Sequence, residues 1–221
     1  MNVLIIGASR GIGLEFVRQY RAEGARVTAT ARSDDGLAQL QTLGAATLRL
    51  DVLDGASASA LAGSVEGAGF DLVVLNAGIH GPRTQGLQTP TAADFDQVMQ
   101  TNVLGPMRVL PQLDGALAPA ARVAVISSRM GSIGTRAVGG SWLYRASKAA
   151  LNSVLKDLSL AFAGRAICVA LHPGWVRTDM GGAGADLDVA DAVADMRRTL
   201  AGLGAADNGS FRNHDGSLIP W

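Results

Sequence analysis

The chain has little of several features that mark specialised classes of protein. It has a single cysteine, Cys168, so it cannot form a disulfide framework or a cysteine-rich zinc cluster. Its 19 basic and 19 acidic side chains balance, so no overall field would attract nucleic acid or an anionic membrane. No apolar run approaches the roughly 18 residues of a membrane helix, and no basic region precedes the short apolar run at the N-terminus. We therefore expect a cytoplasmic protein without nucleic-acid or membrane partners.

The composition that remains is that of an ordinary globular protein. Of the 221 residues, 48% are hydrophobic and 17% are charged, which is enough to build one sizeable core. We therefore expect a single domain over residues 1–221.

Short β-rich runs alternate with longer alanine-rich segments. The first of these segments has the spacing of an amphipathic helix, with Ile12, Phe16, Val17 and Tyr20 on one face. Several of the runs are apolar throughout, as strands covered on both faces must be. The pattern predicts an α/β fold, a Rossmann-type, doubly wound parallel sheet flanked by helices. The predicted strands cover residues 3–6, 26–30, 46–50, 71–75, 123–126 and 167–171.

A glycine-rich segment, GASRGIG at residues 7–13, directly follows the first predicted strand and opens the first predicted helix. Glycines here would permit a tight turn and let the backbone approach a pyrophosphate at the helix N-terminus. The spacing GxxxGxG differs from the better-known GxGxxG, and a plain strand-to-helix turn could contain the same glycines. The strand before it and the helix after it favour a nucleotide site.

The residues after the second predicted strand indicate which nucleotide would bind. An acidic residue there would hold the ribose 2′-hydroxyl of NAD, but the chain has Thr30-Ala31-Arg32-Ser33. Arg32 and Arg10 could together hold a 2′-phosphate, for which the forked guanidinium is well shaped. The alternative is that both are solvated surface arginines. The sequence favours NADP(H) over NAD(H).

Tyr144 and Lys148 lie one helical turn apart, on the same face as Leu151 and Leu155. Burying an unpaired ammonium is costly, so Lys148 must either extend outward or point into a polar cleft. A phenol has an ordinary pKa of about 10, and a nearby cation is expected to lower it towards neutrality. Tyr144 would then be a credible acid and base. A chance Tyr/Lys pair remains the alternative on these residues alone.

Several motifs occur along the chain in this order: GASRGIG, Asn76-Ala77-Gly78, Asn102, Ser127-Ser128, Tyr144-x-x-x-Lys148 and His172-Pro173-Gly174. Their order and spacing resemble the short-chain dehydrogenase/reductase family over nearly the whole chain. The segments 145–152 and 215–221 look most like its C-factor-like and sniffer-like carbonyl reductase branch. The resemblance implies an NADPH-dependent reductase of a ketone or aldehyde, reversible as an alcohol dehydrogenase.

The resemblance also implies roles for individual residues. Tyr144 would donate the proton and Ser128 would hold the substrate oxygen. Lys148 would bind the nicotinamide ribose and tune the tyrosine, while Asn102 would order a water in the proton relay. Asp51 would meet the adenine and Thr178 the carboxamide. The cofactor contacts would be Gly7, Ser9, Arg10, Gly11, Ile12, Gly13, Arg32, Asp51, Val52, Asn76, Ala77, Gly78, Tyr144, Lys148, Pro173, Gly174, Val176 and Thr178.

One departure from the family bears on the choice of serine. Ser128 lies three residues further from Tyr144 than the commonest family spacing, which we interpret as an insertion within residues 130–143. Ser127 and Ser132 remain alternatives to Ser128. The substrate would be a small carbonyl compound or alcohol, held by the loops at 81–89, 130–143 and 178–190, whose sequences do not identify it.

Three further expectations complete the sequence-based picture. The histidines, His80, His172 and His214, have no metal-like spacing, so we expect loop or packing roles and no metal site. The family resemblance implies a homodimer or larger homo-oligomer that pairs through the helices beginning near Asn102 and Tyr144. A rival to the enzyme is a protein that binds NADP(H) as a sensor with little turnover.

Overall fold

One sheet of seven parallel strands forms the centre of the molecule in the computed structural model, which describes residues 1–221. The strand order is β3-β2-β1-β4-β5-β6-β7. All neighbouring strands are parallel, as the apolar runs predicted. The strands are β1 Asn2–Ile6, β2 Arg26–Ala31, β3 Ala46–Arg49, β4 Phe70–Leu75, β5 Leu117–Ile126, β6 Ala166–His172 and β7 Ser210–Asn213.

Helices cover both faces of this sheet. A π-helical stretch, Gln100–Leu104, joins the fourth and fifth helices. The α-helices are α1 Gly11–Ala22, α2 Asp34–Thr42, α3 Gly55–Val65, α4 Ala92–Met99, α5 Gly105–Val109, α6 Trp142–Ala161 and α7 Val189–Ala201. The predicted doubly wound α/β fold is confirmed.

The alternation of side chains along each strand divides the core between the two faces. In β1, Leu4 and Ile6 pack on the face covered by α3, α5 and α6. Val3 and Ile5 point to the opposite face, which α1, α2 and α7 cover. Fully burying one such aliphatic side chain contributes about 1.5–3 kcal/mol to stability. Strands that are apolar on both faces therefore hold the two helical layers on the sheet.

The chain reverses its direction across the sheet between β1 and β4. From β1 it proceeds outward to β2 and β3, and it then returns to place β4 on the other side of β1. Ligands of doubly wound sheets bind at the carboxyl ends of the strands at this switch point. The GASRGIG segment follows β1 and Asn76-Ala77-Gly78 follows β4, so the fold brings both motifs to that position.

The seventh strand was not predicted from the sequence. It is four residues long, and only Phe211 among them is a buried apolar side chain. No helix combines the length and the apolar character needed to cross a membrane.

Candidate active site

The glycine-rich segment packs closely against the segment that follows β4. Gly7 has φ +81°, and a Cβ atom there would lie 2.8 Å from the backbone nitrogen and Cα of Ala77. A Cβ atom on Gly13 would collide with the Gly7 carbonyl. Only glycine therefore allows α1 to begin this close to β1.

Two side chains fix the backbone of this segment. The Asn76 Nδ2 group donates a hydrogen bond to the Gly7 carbonyl at 2.8 Å. The Thr30 hydroxyl accepts one from the Gly7 N–H at 3.1 Å. Asn76, predicted as a cofactor contact, thus supports the loop through its amide.

The N-terminus of α1 is built to receive an anion. Arg10 makes no side-chain capping bond, and the first turn contains no acidic residue. The open N–H groups and the helix dipole favour negative charge at this end. Together with the glycine cradle, this end fits the pyrophosphate of a dinucleotide.

The two arginines expected to hold a 2′-phosphate lie in different surroundings. Arg10 forms an exposed ion pair with Asp179 at 2.9 Å and so reaches the loop after β6. The Arg32 guanidinium is exposed and makes no hydrogen bond or ion pair. Arg49, from the neighbouring strand β3, donates to the Arg32 carbonyl and pairs with Asp34. Arg32 is therefore the unpaired arginine of the three, whereas Arg10 and Arg49 each form an ion pair with a carboxylate. Sequence reasoning did not consider Arg49.

Asp51, predicted to contact the adenine, and Val52, predicted as a cofactor contact, lie just beyond β3. One Asp51 carboxylate oxygen, Oδ1, accepts from the Leu53 N–H at 3.0 Å. The Asp51 N–H donates to the Ser57 hydroxyl at 3.1 Å. Val52 is buried and packs against Gly105 of α5. This turn is thereby held at the carboxyl edge of the sheet.

The segment after β6 lies across the cleft from the glycine loop. Gly174 has φ +84°, and a Cβ atom there would collide with Leu187. Val176 forms an isolated parallel bridge with the same Leu187. A Cβ atom on Gly11 would lie 3.4 Å from the Thr178 methyl group, so Thr178 faces the N-terminus of α1. Thr178, which was predicted to contact the carboxamide, thus lies beside the N-terminus of α1.

Asn102 lies at 0% exposure inside the π-helical stretch and ties three segments together. Its Oδ1 accepts from the Ile79 N–H at 2.8 Å, and its Nδ2 donates to the Ile79 carbonyl at 2.8 Å. The same Nδ2 also donates to the Ser147 hydroxyl on α6 at 2.9 Å. Four residues on, Pro106 has no N–H, so the Asn102 carbonyl has no α-helical partner.

The three candidate serines are separated clearly by their partners. Ser127 donates to Asn152 Oδ1 at 2.6 Å, and Ser132 donates to the Pro220 carbonyl at 2.5 Å. The Ser128 hydroxyl accepts from the Met130 N–H at 3.1 Å, and Ser128 is the side chain that acts to lower the pKa of Tyr144 against the effect of burial. Of the three, Ser128 is the one that the structure brings to Tyr144.

The expected lowering of the Tyr144 pKa towards neutrality is wrong for the protein alone. Burial raises the pKa of Tyr144 to about 12, and only Ser128 opposes this. The Lys148 Nζ lies 5.7 Å from the Tyr144 ring centroid and donates to the Ile126 carbonyl at 2.8 Å. Burial lowers the pKa of Lys148 to about 8. Desolvation of the phenol is the largest cause of this raised pKa, and it depends on burial, which helical spacing alone does not reveal.

Lys148 points into the cleft, the second of the two orientations considered from the sequence. A Cβ atom on Gly78 would lie 3.5 Å from the Lys148 Nζ and 3.3 Å from Asn102 Oδ1. The glycine after β4 therefore leaves room directly beside the ammonium. This places Lys148, Asn102 and the Asn76-Ala77-Gly78 segment around one space.

His80 also contacts this site, although no pattern in the sequence indicated it. Its ring stacks on the Tyr144 ring, with centroids 4.3 Å apart and planes at 18°. The two residues are 64 positions apart in the chain, so no local spacing connects them. The expected loop or packing role of His80 therefore becomes contact with the candidate proton donor.

Comparisons with known proteins agree with this geometry. The C-signal protein of Myxococcus xanthus is 41% identical over 157 residues, which cover 68% of this chain and 92% of that protein. The NADPH-bound carbonyl reductase from chicken fatty liver has a TM-score of 0.90 and 34% identity, covering 100% of this chain and 98% of that one. The carbonyl reductase Sniffer of D. melanogaster has a TM-score of 0.90 and 30% identity, covering 100% and 99%.

The family model for short chain dehydrogenases matches residues 1–186. That range contains the glycine cradle, the Asn102 network and the Ser128, Tyr144 and Lys148 cluster. The match extends over most of the chain, and with these motifs at the switch point of a parallel sheet the chain belongs to the short-chain dehydrogenase/reductase family.

Proposed function

We propose that this oxidoreductase uses NADPH to reduce the carbonyl group of a ketone or aldehyde and catalyses the reverse alcohol oxidation. The observation that carries this proposal is the cluster of Ser128, Tyr144 and Lys148 at the carboxyl end of the sheet. A hydroxyl, a phenol and an ammonium are the groups needed to polarise a carbonyl oxygen and deliver a proton to it.

NADP(H) is the cofactor that the residues and the relatives favour. The structures of the chicken carbonyl reductase and of a Pseudomonas aeruginosa carbonyl reductase contain NADPH and NADP, respectively. The glycine cradle would hold the pyrophosphate, the unpaired Arg32 the 2′-phosphate, and Lys148 the nicotinamide ribose. When bound, the cofactor supplies the hydride that adds to the carbonyl carbon.

Tyr144 acts as the acid in the reduction. With a pKa of about 12, its phenol is protonated at neutral pH and can donate to the substrate oxygen. The Ser128 oxygen accepts from the Met130 N–H, which orients the hydroxyl so that its own proton can be donated. As the C–H bond forms, the proton leaves the Tyr144 oxygen for the substrate oxygen, and the products are an alcohol and a phenolate.

Lys148 stabilises that phenolate after the transfer. Below its pKa of about 8 the buried Lys148 side chain is an ammonium. Its Nζ lies 5.7 Å from the centroid of the Tyr144 ring, so it attracts the phenolate that the reaction creates. The Asn102 carbonyl, which lacks an α-helical donor, would accept from a water that returns a proton to the site. Oxidation runs the same path backwards and needs the phenolate, so we expect it to gain rate as the pH rises.

The substrate pocket is formed by the loops at the open end of the cleft. Large apolar side chains there are partly exposed: Trp142 at 36%, Trp175 at 52% and Met180 at 39%. An apolar rim with a few polar groups at the reacting end is typical of small-molecule sites. This favours a carbonyl compound with an apolar body.

A panel of aldehydes and ketones assayed by NADPH oxidation tests the proposal. We expect turnover that requires Tyr144. The rival, a sensor that binds NADP(H) without useful turnover, predicts tight NADPH binding and no activity with any member of the panel.

We also propose a homodimer or larger homo-oligomer in the cytoplasm. Phe95, Leu104 and Met107 are 48%, 38% and 50% exposed on the segment that runs from α4 to α5. A partner that covers this apolar surface would remove it from water.

A further inference from the structure

His80 covers one face of the Tyr144 ring. The two rings are close to parallel, 4.3 Å between centroids and 18° between planes, which is a stacked contact. His80 is half-buried, whereas Tyr144 is 7% exposed. The imidazole is thus part of the cover that keeps water from the phenol.

The backbone on both sides of His80 is fixed. Ile79, which precedes it, is held at its N–H and its carbonyl by the Asn102 side chain. Gly81, which follows it, has φ +70°, and a Cβ atom there would collide with Val98 of α4. His80 therefore reaches Tyr144 from a rigid support and not from a free loop end.

Asn102 also connects the His80 segment to α6 through hydrogen bonds. The Ser147 hydroxyl accepts from Asn102 Nδ2 at 2.9 Å and donates to the Tyr144 carbonyl at 2.9 Å. The backbone of Tyr144 is therefore positioned by Asn102 through Ser147, and its ring is positioned by His80. Without the contact to His80, the backbone of Tyr144 would stay in place, but its ring would lose the neighbour that limits rotation about its side-chain bonds.

The charge state of the imidazole suits this contact. Burial lowers the pKa of His80 below its ordinary value, more than the hydrogen bond to the Gly81 carbonyl raises it, and Arg83 lowers it a little further. This direction favours the neutral ring at neutral pH. A neutral ring can stack on the phenol without adding a cation beside it.

We propose that His80 is a positioning residue for the reaction, holding the Tyr144 phenol by ring stacking in the orientation that delivers its proton. This inference rests on the proposed function, because it assigns a role around the proposed proton donor. It also predicts that the substrate carbonyl approaches the Tyr144 hydroxyl from the side away from His80. Small misplacements of a reacting group can cost about a hundredfold in rate, so the stack can matter without any contact to the substrate.

Three variants of His80 separate stacking from space filling. His80→Phe keeps a flat ring, His80→Leu keeps apolar volume without a flat face, and His80→Ala removes both. Turnover and KM are measured with NADPH and 4-nitrobenzaldehyde as the probe, and NADPH binding is measured by fluorescence. We expect kcat to fall between about tenfold and a hundredfold in the Ala and Leu variants, with KM and NADPH binding within about twofold. The Phe variant should stay within about threefold of wild type.

The stack can also be observed without turnover. The chain has two tyrosines, Tyr20 and Tyr144, so protein labelled on its tyrosine rings gives two sets of NMR signals. His80→Ala should move the Tyr144 signals and leave those of Tyr20 in place, and His80→Phe should keep the Tyr144 ring ordered.

The outcomes distinguish this inference from the proposed function. A wild type that reduces the probe together with an unimpaired His80→Ala variant would overturn the role of His80 alone. Equal activity of the Leu and Phe variants would overturn stacking as the cause. A wild type that reduces no carbonyl compound of the panel would contradict the proposed function and this role with it. A loss that appears only in KM would also count against a positioning role.

Discussion

Replacing Lys148 by methionine should change how the stability of the protein depends on pH. The Lys148 side chain is 5% exposed, and its ammonium has one hydrogen-bond partner, the Ile126 carbonyl at 2.8 Å. Burial lowers its pKa from 10.5 to about 8. Between those values the unfolded chain binds more protons than the folded one, so the free energy of unfolding rises with pH. This pKa difference corresponds to about 3 kcal/mol gained across the interval.

The Lys148→Met variant has no group that can titrate at this position, so it should lack that gain. Urea unfolding of both ligand-free proteins, followed by tryptophan fluorescence from about pH 7 to about pH 10, gives the difference between them. Burial also raises the pKa of Tyr20, Tyr144 and Cys168 to about 12, but these groups are present in both proteins and largely cancel. The stability of the variant relative to wild type should fall by about 3 kcal/mol over this range. A difference that stays constant with pH would refute the buried-ammonium reasoning.

Three other expectations concern the cofactor cleft and the assembly. Arg32→Ala should weaken NADPH binding by about tenfold or more while NADH binding changes little, because it removes a phosphate ligand; fluorescence titrations that show equal losses would contradict this. Gly13→Ala should abolish tight NADPH binding, since the new methyl group collides with the Gly7 carbonyl and Asn76; calorimetry that finds unchanged affinity would argue against the glycine cradle. Light scattering should give a mass well above the 22.7 kDa of one chain, and Met107→Glu should lower it; a monomeric wild type at micromolar concentration would exclude the proposed oligomer.

The sequence predicted the fold well where the signal is local. Six strands are apolar runs that recur between helical segments, and the seventh was missed because Phe211 alone carries its apolar signal. The shared helical face of Tyr144 and Lys148 follows from their four-residue spacing, and the structure places both in α6. Two orientations of Lys148 were considered from the sequence, and the structure shows the one in which the buried side chain points into the cleft.

Features that depend on distant segments could not be predicted in the same way. The ion pair of Arg10 with Asp179 joins residues 169 positions apart, and the stack of His80 on Tyr144 joins the segment after β4 to α6. The direction of the Tyr144 pKa was wrong because it depends on how completely the folded protein covers the phenol. Ser128 was separated from Ser127 and Ser132 only by their hydrogen-bond partners.

The most direct test of the central claim is the turnover of a Tyr144→Phe variant with NADPH and a carbonyl substrate that wild type reduces. The change removes one hydroxyl from a buried ring and leaves the stack with His80 in place. We predict a fall in kcat of about two to four orders of magnitude, with NADPH affinity unchanged in a parallel fluorescence titration. A variant that retains kcat within about threefold of wild type would contradict the assignment of Tyr144 as the proton donor.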